Sequence, residues 1–368
     1  MIARCGGQEG IFMKVGRVTE NALKRSILQQ IKARRDEVIV GAGLGEDCAI
    51  FSFQNRVSDG TCQHKNDRNV ILSCVQEGMF PVAYLLQRCA NILASRGGEP
   101  LAAALSILLP LCAEEDTLQG IMSEAEEICG RLGMEIAQAQ GRVTGAVNTP
   151  FVTVTAYGVA AAKAEEDSFA AAYHTVKAAR PGQDIVVSKW IGLEGTAILA
   201  KHCEVSLRER YPAWLPETAA GFDRYLSTIP EAAVAMQSNG CVLQNVSEGG
   251  ILAALWELAE GAGVGLTIDL KKLPVRQETV EVCNHCNINP YELLSGGCLL
   301  MTCTDGLELV STLEAAEIPA AIVGKVTDSN DRLILNEDEV RYLDRPHADS
   351  IYQKINCEAP VAAGGMEV

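Results

Sequence analysis

Val38-Ile39-Val40-Gly41-Ala42-Gly43-Leu44-Gly45-Glu46-Asp47-Cys48-Ala49-Ile50-Phe51-Ser52-Phe53 is the stretch that decides how this chain reads. A β-branched triplet, a glycine-rich turn and a second apolar run predict strand, loop, strand. The loop ends on two adjacent acids, Glu46 and Asp47. Carboxylates after a glycine turn suit Mg2+, a hard cation that takes oxygen ligands and phosphate. The same residues also suit a solvated hairpin loop.

Upstream, Val18, Leu23, Ile27, Leu28 and Ile31 fall at helical spacing within 15–36. Downstream, residues 54–68 are polar and turn-like, and Val70–Cys74 reads as a strand. Phe80–Ser95 and Glu114–Leu132 are predicted helices, and Leu101–Leu109, Met134–Ala139 and Pro150–Val159 predicted strands. Ala160–Ala179 is rich in alanine and leads to the turn Arg180-Pro181-Gly182, which places a domain boundary between about 160 and 182. The second half repeats the alternation. Strands are expected at Asp184–Val187, Val242–Asn245, Gly265–Leu270, Cys298–Cys303 and Ala320–Val326, and helices at Ala197–His202, Ile251–Gly261 and Leu307–Ala316. The expected organisation is a domain over 15–165, a second over 175–345, and a disordered tail over 346–368. Alternating elements predict an α/β or α+β fold.

Composition narrows the partners. The chain has 368 residues, 48% of them hydrophobic, and a formal net charge of -16. That length suits about two domains. The acidic balance argues against nucleic acid or an anionic membrane as partner, since no basic excess exists to neutralise phosphates. The longest apolar stretch, Pro100–Cys112, is about 13 residues, short of a membrane span at ~20. The first 14 residues lack the apolar core of a signal peptide, and Met13 is an alternative start. The 14 cysteines lie mostly in apolar runs and read as reduced thiols of a cytoplasmic protein. Cys283-Asn284-His285-Cys286 is one CxxC without a second. It reads as a structural pair, with redox and metal roles as alternatives.

Two more glycine loops precede helices, Gly192-Leu193-Glu194-Gly195-Thr196 and Ser247-Glu248-Gly249-Gly250. Helix N-termini carry unpaired N–H groups that favour phosphate. Either loop also suits an ordinary helix start. No Walker A lysine loop is present.

Taken in order, these segments resemble one superfamily: aminoimidazole ribonucleotide (AIR) synthetase, thiamine monophosphate kinase, selenophosphate synthetase and the hydrogenase maturation carbamoyl dehydratase. The carriers are Gly45–Ala49, Asn91–Pro100, Asn245–Gly250, Leu294-Ser295-Gly296-Gly297 and Val323-Gly324-Lys325-Val326, over residues 36 to about 335. The subgroup most resembled is the AIR synthase-related, hydrogenase-maturation-factor-like one. The resemblance implies a two-domain PurM-like fold: an N-terminal sheet domain that pairs with a second copy into a dimeric β-barrel, and a C-terminal sheet-and-helix domain. It implies ATP in the interdomain cleft, held by Gly45, Asn91, Arg142, Gly192, Gly195, Asn245, Glu248, Gly249 and Gly250, with Mg2+ on Glu46 and Asp47.

Several family acids are missing. Ile92 follows Asn91 where the family has aspartate, and Ser73-Cys74 stands where many members have Thr-Asp. Ala139-Gln140-Gly141-Arg142 replaces Gly-His-Thr-Glu, and Gln244-Asn245 replaces His-Asp. Arg142 is expected as a phosphate contact, because guanidinium matches phosphate oxygens. The C-terminal Pro-Arg-Ile-Cys of the maturation factor is also absent, so thiocyanate formation is not expected. Nor is selenophosphate synthesis, because no Lys motif accompanies Cys5. The expected activity is ATP-dependent phosphorylation of an unidentified small acceptor at an altered metal site. The alternatives are a catalytically degenerate homologue that binds a ligand or a partner, and a thiol module using Cys283 and Cys286.

Overall fold

The computed structural model describes residues 18–54, 68–161, 169–237 and 242–355. The expected start at Met13, most of the polar turn at 54–68 and the end of the tail lie outside them. Two sheets form. The first contains β1 (Val38–Val40), β2 (Ala49–Gln54), β3 (Arg68–Gly78), β4 (Glu99–Leu109), β5 (Glu135–Val143) and β6 (Phe151–Ala160), in the order β1-β2-β3-β6-β4-β5. Its pairs are antiparallel except β4 with β5. The second contains β7 (Asp184–Ser188), β8 (Val242–Asn245), β9 (Gly265–Asp269), β10 (Leu299–Cys303), β11 (Ala320–Thr327), β12 (Arg332–Asn336) and β13 (Glu339–Tyr342), in the order β13-β12-β9-β11-β7-β10-β8. Only β12 with β9 is parallel there. The fold is a mixed α/β one, on the α+β side.

The first sheet is buried on one face. Leu72 and Cys74, Leu105 and Ile107, and Val152 and Val154 point to α1 (Val82–Ser95) and α2 (Glu115–Leu132), as period-2 alternation requires. The opposite face carries Phe53, Ile71, Val75, Tyr157 and Val159, all exposed. No closed barrel forms among the described residues, because β1 and β5 remain unjoined edges.

In the second half, α4 (Gly250–Ala262) and α6 (Gly306–Ala315) pack on the sheet, whereas α3 (Leu193–His202) and α5 (Gln277–Cys286) pack against each other. Helix α1 is buried nearly all round, because it lies between the first sheet and the second domain. One hydrophobic core therefore runs from Leu72 and Leu85 through to Leu199, Val282 and Leu293.

Two expectations change. Residues 20–30 form three consecutive short turns rather than one helix, because none of their side chains is buried. The tail is packed as far as α7 (Ile351–Ile355): Ile351 is fully buried and Tyr352 stacks near Phe80 at 5.7 Å. A single anchoring isoleucine and an aromatic pair, unrecognisable without their receiving surface, hold it.

Candidate functional site

The glycine turn after β1 opens into a cleft of about 770 Å³. It brings together Glu46, Asp47, Ile92, Ser247, Glu248 and Tyr352, from both halves of the chain. Among the described residues, no lysine, arginine or histidine lines it.

The two expected metal ligands differ. Gly45 takes φ +71, and a Cβ there would press on Val176 and the Glu257 carbonyl, so the turn is fixed against the second domain. That positions Glu46 with both carboxylate oxygens buried and without hydrogen-bond partners among the described residues. Lys177 Nζ is 3.8 Å away. Burial holds Glu46 above the ordinary carboxylate range, against the pull of Arg96 and Lys177. Asp47 instead accepts from Arg96 Nη2 at 2.8 Å. Among the described residues no group of three His, Cys, Asp or Glu is placed to share one ion. Mg2+ needs only one or two carboxylates when it keeps its waters. The donor set therefore fits one hydrated ion through Glu46 and the second oxygen of Asp47, and not a pair of ions.

The expected phosphate contacts are mostly engaged elsewhere. Asn91 donates to the Leu226 carbonyl at 2.7 Å and accepts from the Thr228 N–H at 2.9 Å, which ties α1 to the second domain. Gly192 N–H donates to Ser295 Oγ at 2.8 Å, and Gly195 N–H to the Leu294 carbonyl at 2.9 Å. A Cβ at Gly195 would lie 2.5 Å from Leu293, so the start of α3 is filled by protein. Gly249 and Gly250 are both left-handed, and Gly250 closes a turn onto the Ser247 carbonyl. Gly249 N–H donates to Asp349 Oδ2 at 3.1 Å. Asp349 Oδ1 accepts from the Ile351 N–H at 3.0 Å. A carboxylate of the chain itself thus sits where the start of α4 would receive an anion. Asn245 is buried and its amide has no hydrogen-bond partner among the described residues. Arg142 lies exposed on edge strand β5, opposite Leu108, and does not line the cleft.

The sequence reading missed the cluster behind the cleft. Arg88 is 2% exposed and its Nε donates to Glu194 Oε1 at 2.8 Å. Phe80 lies under its guanidinium at 4.8 Å. Burial pushes Glu194 up, with Arg88 opposing. Tyr352 donates to Glu248 Oε1 at 2.6 Å, and burial, with Glu248 beside it, keeps this phenol protonated. A signal did exist. Arg88, Asn91, Ser95 and Arg96 stand at i, i+3, i+7 and i+8, a polar stripe on a largely apolar helix.

Comparison with known proteins agrees with this architecture. Residues 180–336 match the family described as AIR synthase related protein, C-terminal domain. Residues 180–336 thus resemble the C-terminal domain of AIR synthase-related, PurM-like proteins, and the two-sheet fold is of that kind. The chain as a whole is similar to HypE proteins. It is 23% identical over 287 residues to a protein of Methanocaldococcus jannaschii provisionally named for hydrogenase expression/formation, covering 78% of this chain and 79% of that one. It is 26% identical over 213 residues to carbamoyl dehydratase HypE of Rhodobacter capsulatus, covering 57% of this chain and 58% of the relative. The solved structure of the hydrogenase maturation protein HypE in complex with ATP superposes with a TM-score of 0.63 at 17% identity, over 76% of this chain and 86% of that one. No helix of the described residues is long and apolar enough to cross a membrane.

Proposed function

We propose that this chain is a HypE-like ligand-binding protein in which metal-assisted phosphoryl transfer has been lost. One observation carries the reading. Asp47, expected to hold a cation, is engaged by an arginine that is itself fully buried. Arg96 has no solvent to retreat into, so Asp47 keeps its partner unless α1 moves. A cleft whose described lining carries acids and no basic side chain disfavours a bare triphosphate, which needs counter-charge from metal ions. The exposed apolar face of the first sheet supports a homodimer, because large uncovered apolar patches mark contact surfaces.

A second reading has its own support. The orphaned oxygens of Glu46 suit one hydrated Mg2+, and a HypE relative in this fold is known in complex with ATP. Glu46 and Asp47 would hold that ion, which would neutralise phosphate charge. The small acceptor of such a transfer is unidentified.

Calorimetric titration with ATP, with and without Mg2+, separates the two when paired with a phosphate-release assay. The expected outcome is no release above background. Mg2+-dependent binding accompanied by turnover would overturn the proposal. A monomer in sedimentation equilibrium would remove the dimer.

A further inference from the structure

The cysteine pair that stands out in the sequence is not the pair that the fold brings together. Cys283 is fully buried in the core, one turn before Cys286 on the same helix. The sulfur facing Cys286 belongs to Cys203, at 3.9 Å.

Cys203 caps the end of α3, and Cys286 is the last residue of α5. The helices have 10 residues each and pack together. Near their starts, Thr196 Oγ1 and Thr279 Oγ1 hydrogen-bond at 3.1 Å. Each cysteine comes seven residues after its helix's threonine, which is close to two turns at about 3.6 residues per turn. The four residues therefore lie on the facing sides of two parallel helices. Hydroxyls join the starts, and thiols meet at the ends. That register fixes which sulfur can reach which.

We propose that Cys203 and Cys286 are a modification site, closing as a reversible intramolecular disulfide in the presence of a small disulfide oxidant such as glutathione disulfide. Cys203 is half-buried and Cys286 buried, so Cys203 meets the oxidant first. Its thiolate attacks one sulfur of glutathione disulfide and releases glutathione as a thiolate. The Cys286 thiol then loses its proton and attacks Cys203 Sγ, releasing the second glutathione. Two protein thiols become one disulfide, and one glutathione disulfide becomes two thiols. Lys354 brings positive charge to Cys286 and opposes the Cys203 thiol and the burial that hold its proton on. Closing the bond brings the sulfurs from contact to about 2.05 Å. The bond would clamp the helix pair whose other end carries Glu194, the partner of Arg88.

The test uses the full chain, incubated with glutathione disulfide at a poise set by added glutathione. Two thiols per chain should be lost, a linked Cys203–Cys286 peptide should appear by mass, and the melting temperature should rise by about 3–5 °C. Dithiothreitol should reverse all three. Cys203→Ser, at a half-buried position, should abolish the linked peptide and the thermal shift, whereas Cys112→Ser, at an exposed position, should leave both. Glutathione retained on Cys203 without a linked peptide would overturn the proposal. An unchanged thiol count, or an equal thermal shift in Cys203→Ser, would overturn it too.

Discussion

Arg88 and Arg96 stand on one helix, both almost wholly buried, yet their carboxylate partners differ. Glu194, at 1% exposure, is as deep as Arg88. Asp47, at 28%, stands on the rim of the cleft. The first pair joins a helix of the first domain to one of the second and is buried from solvent. The second places a buried cation directly behind an acid that would otherwise face one. An acid in a cleft is therefore available or not according to what stands behind it. Arg96 is also held by the Leu243 and His174 carbonyls, so its position does not depend on Asp47.

That contrast can be broken at the deep end first. Glu194→Ala leaves Arg88 buried with only the more distant Glu248 carboxylate, 4.0 Å from its Nη1, and is expected to cost about 3–5 kcal/mol. Urea denaturation measures it, and a loss below about 1 kcal/mol would show that the pair is incidental.

Asp349 is another buried carboxylate, held by N–H groups instead of a cation. Burial raises its pKa from 3.8 to about 6. Since the folded value lies above the unfolded one, its contribution is full below about pH 4 and lost as pH rises through about 6. The span corresponds to about 3 kcal/mol. Asp349→Asn should flatten the stability profile between about pH 4 and pH 6 by roughly that amount, and profiles of equal slope would refute the assignment.

The rim pair should matter least for stability. Asp47→Ala removes one charge-assisted bond while Arg96 keeps its carbonyls, for an expected loss of about 1–2 kcal/mol. A loss as large as that of Glu194→Ala would erase the distinction between the two arginines.

Much of the fold was legible. The apolar alternation in β4 and β6 and the apolar run of α1 stood in the sequence, because a one-face or all-round burial pattern needs no partner to be seen. Strand β3 is longer than Val70–Cys74, because pairing with β2 carries it back to Arg68 and pairing with β6 carries it through Gln76 and Glu77. The helices between 204 and 235 and the β12–β13 hairpin were not read. Those helices are seven residues each, too short for helical periodicity to declare itself.

The site was legible as a set of loops and not as a set of contacts. Glycines at 45, 192, 249 and 250 do adopt left-handed backbone, as loop chemistry requires. The family resemblance also marked Ile92 and Asn245 as positions where an acid is missing. Tertiary structure decided what faces those loops: Leu293 and Ser295 fill one helix start, and Asp349 caps the other. It decided, too, that Arg96 stands behind Asp47 and that Cys203, not Cys283, meets Cys286. The reason is range. Turn and strand signals are encoded within a few neighbouring residues, whereas each of these contacts joins residues that only packing brings together.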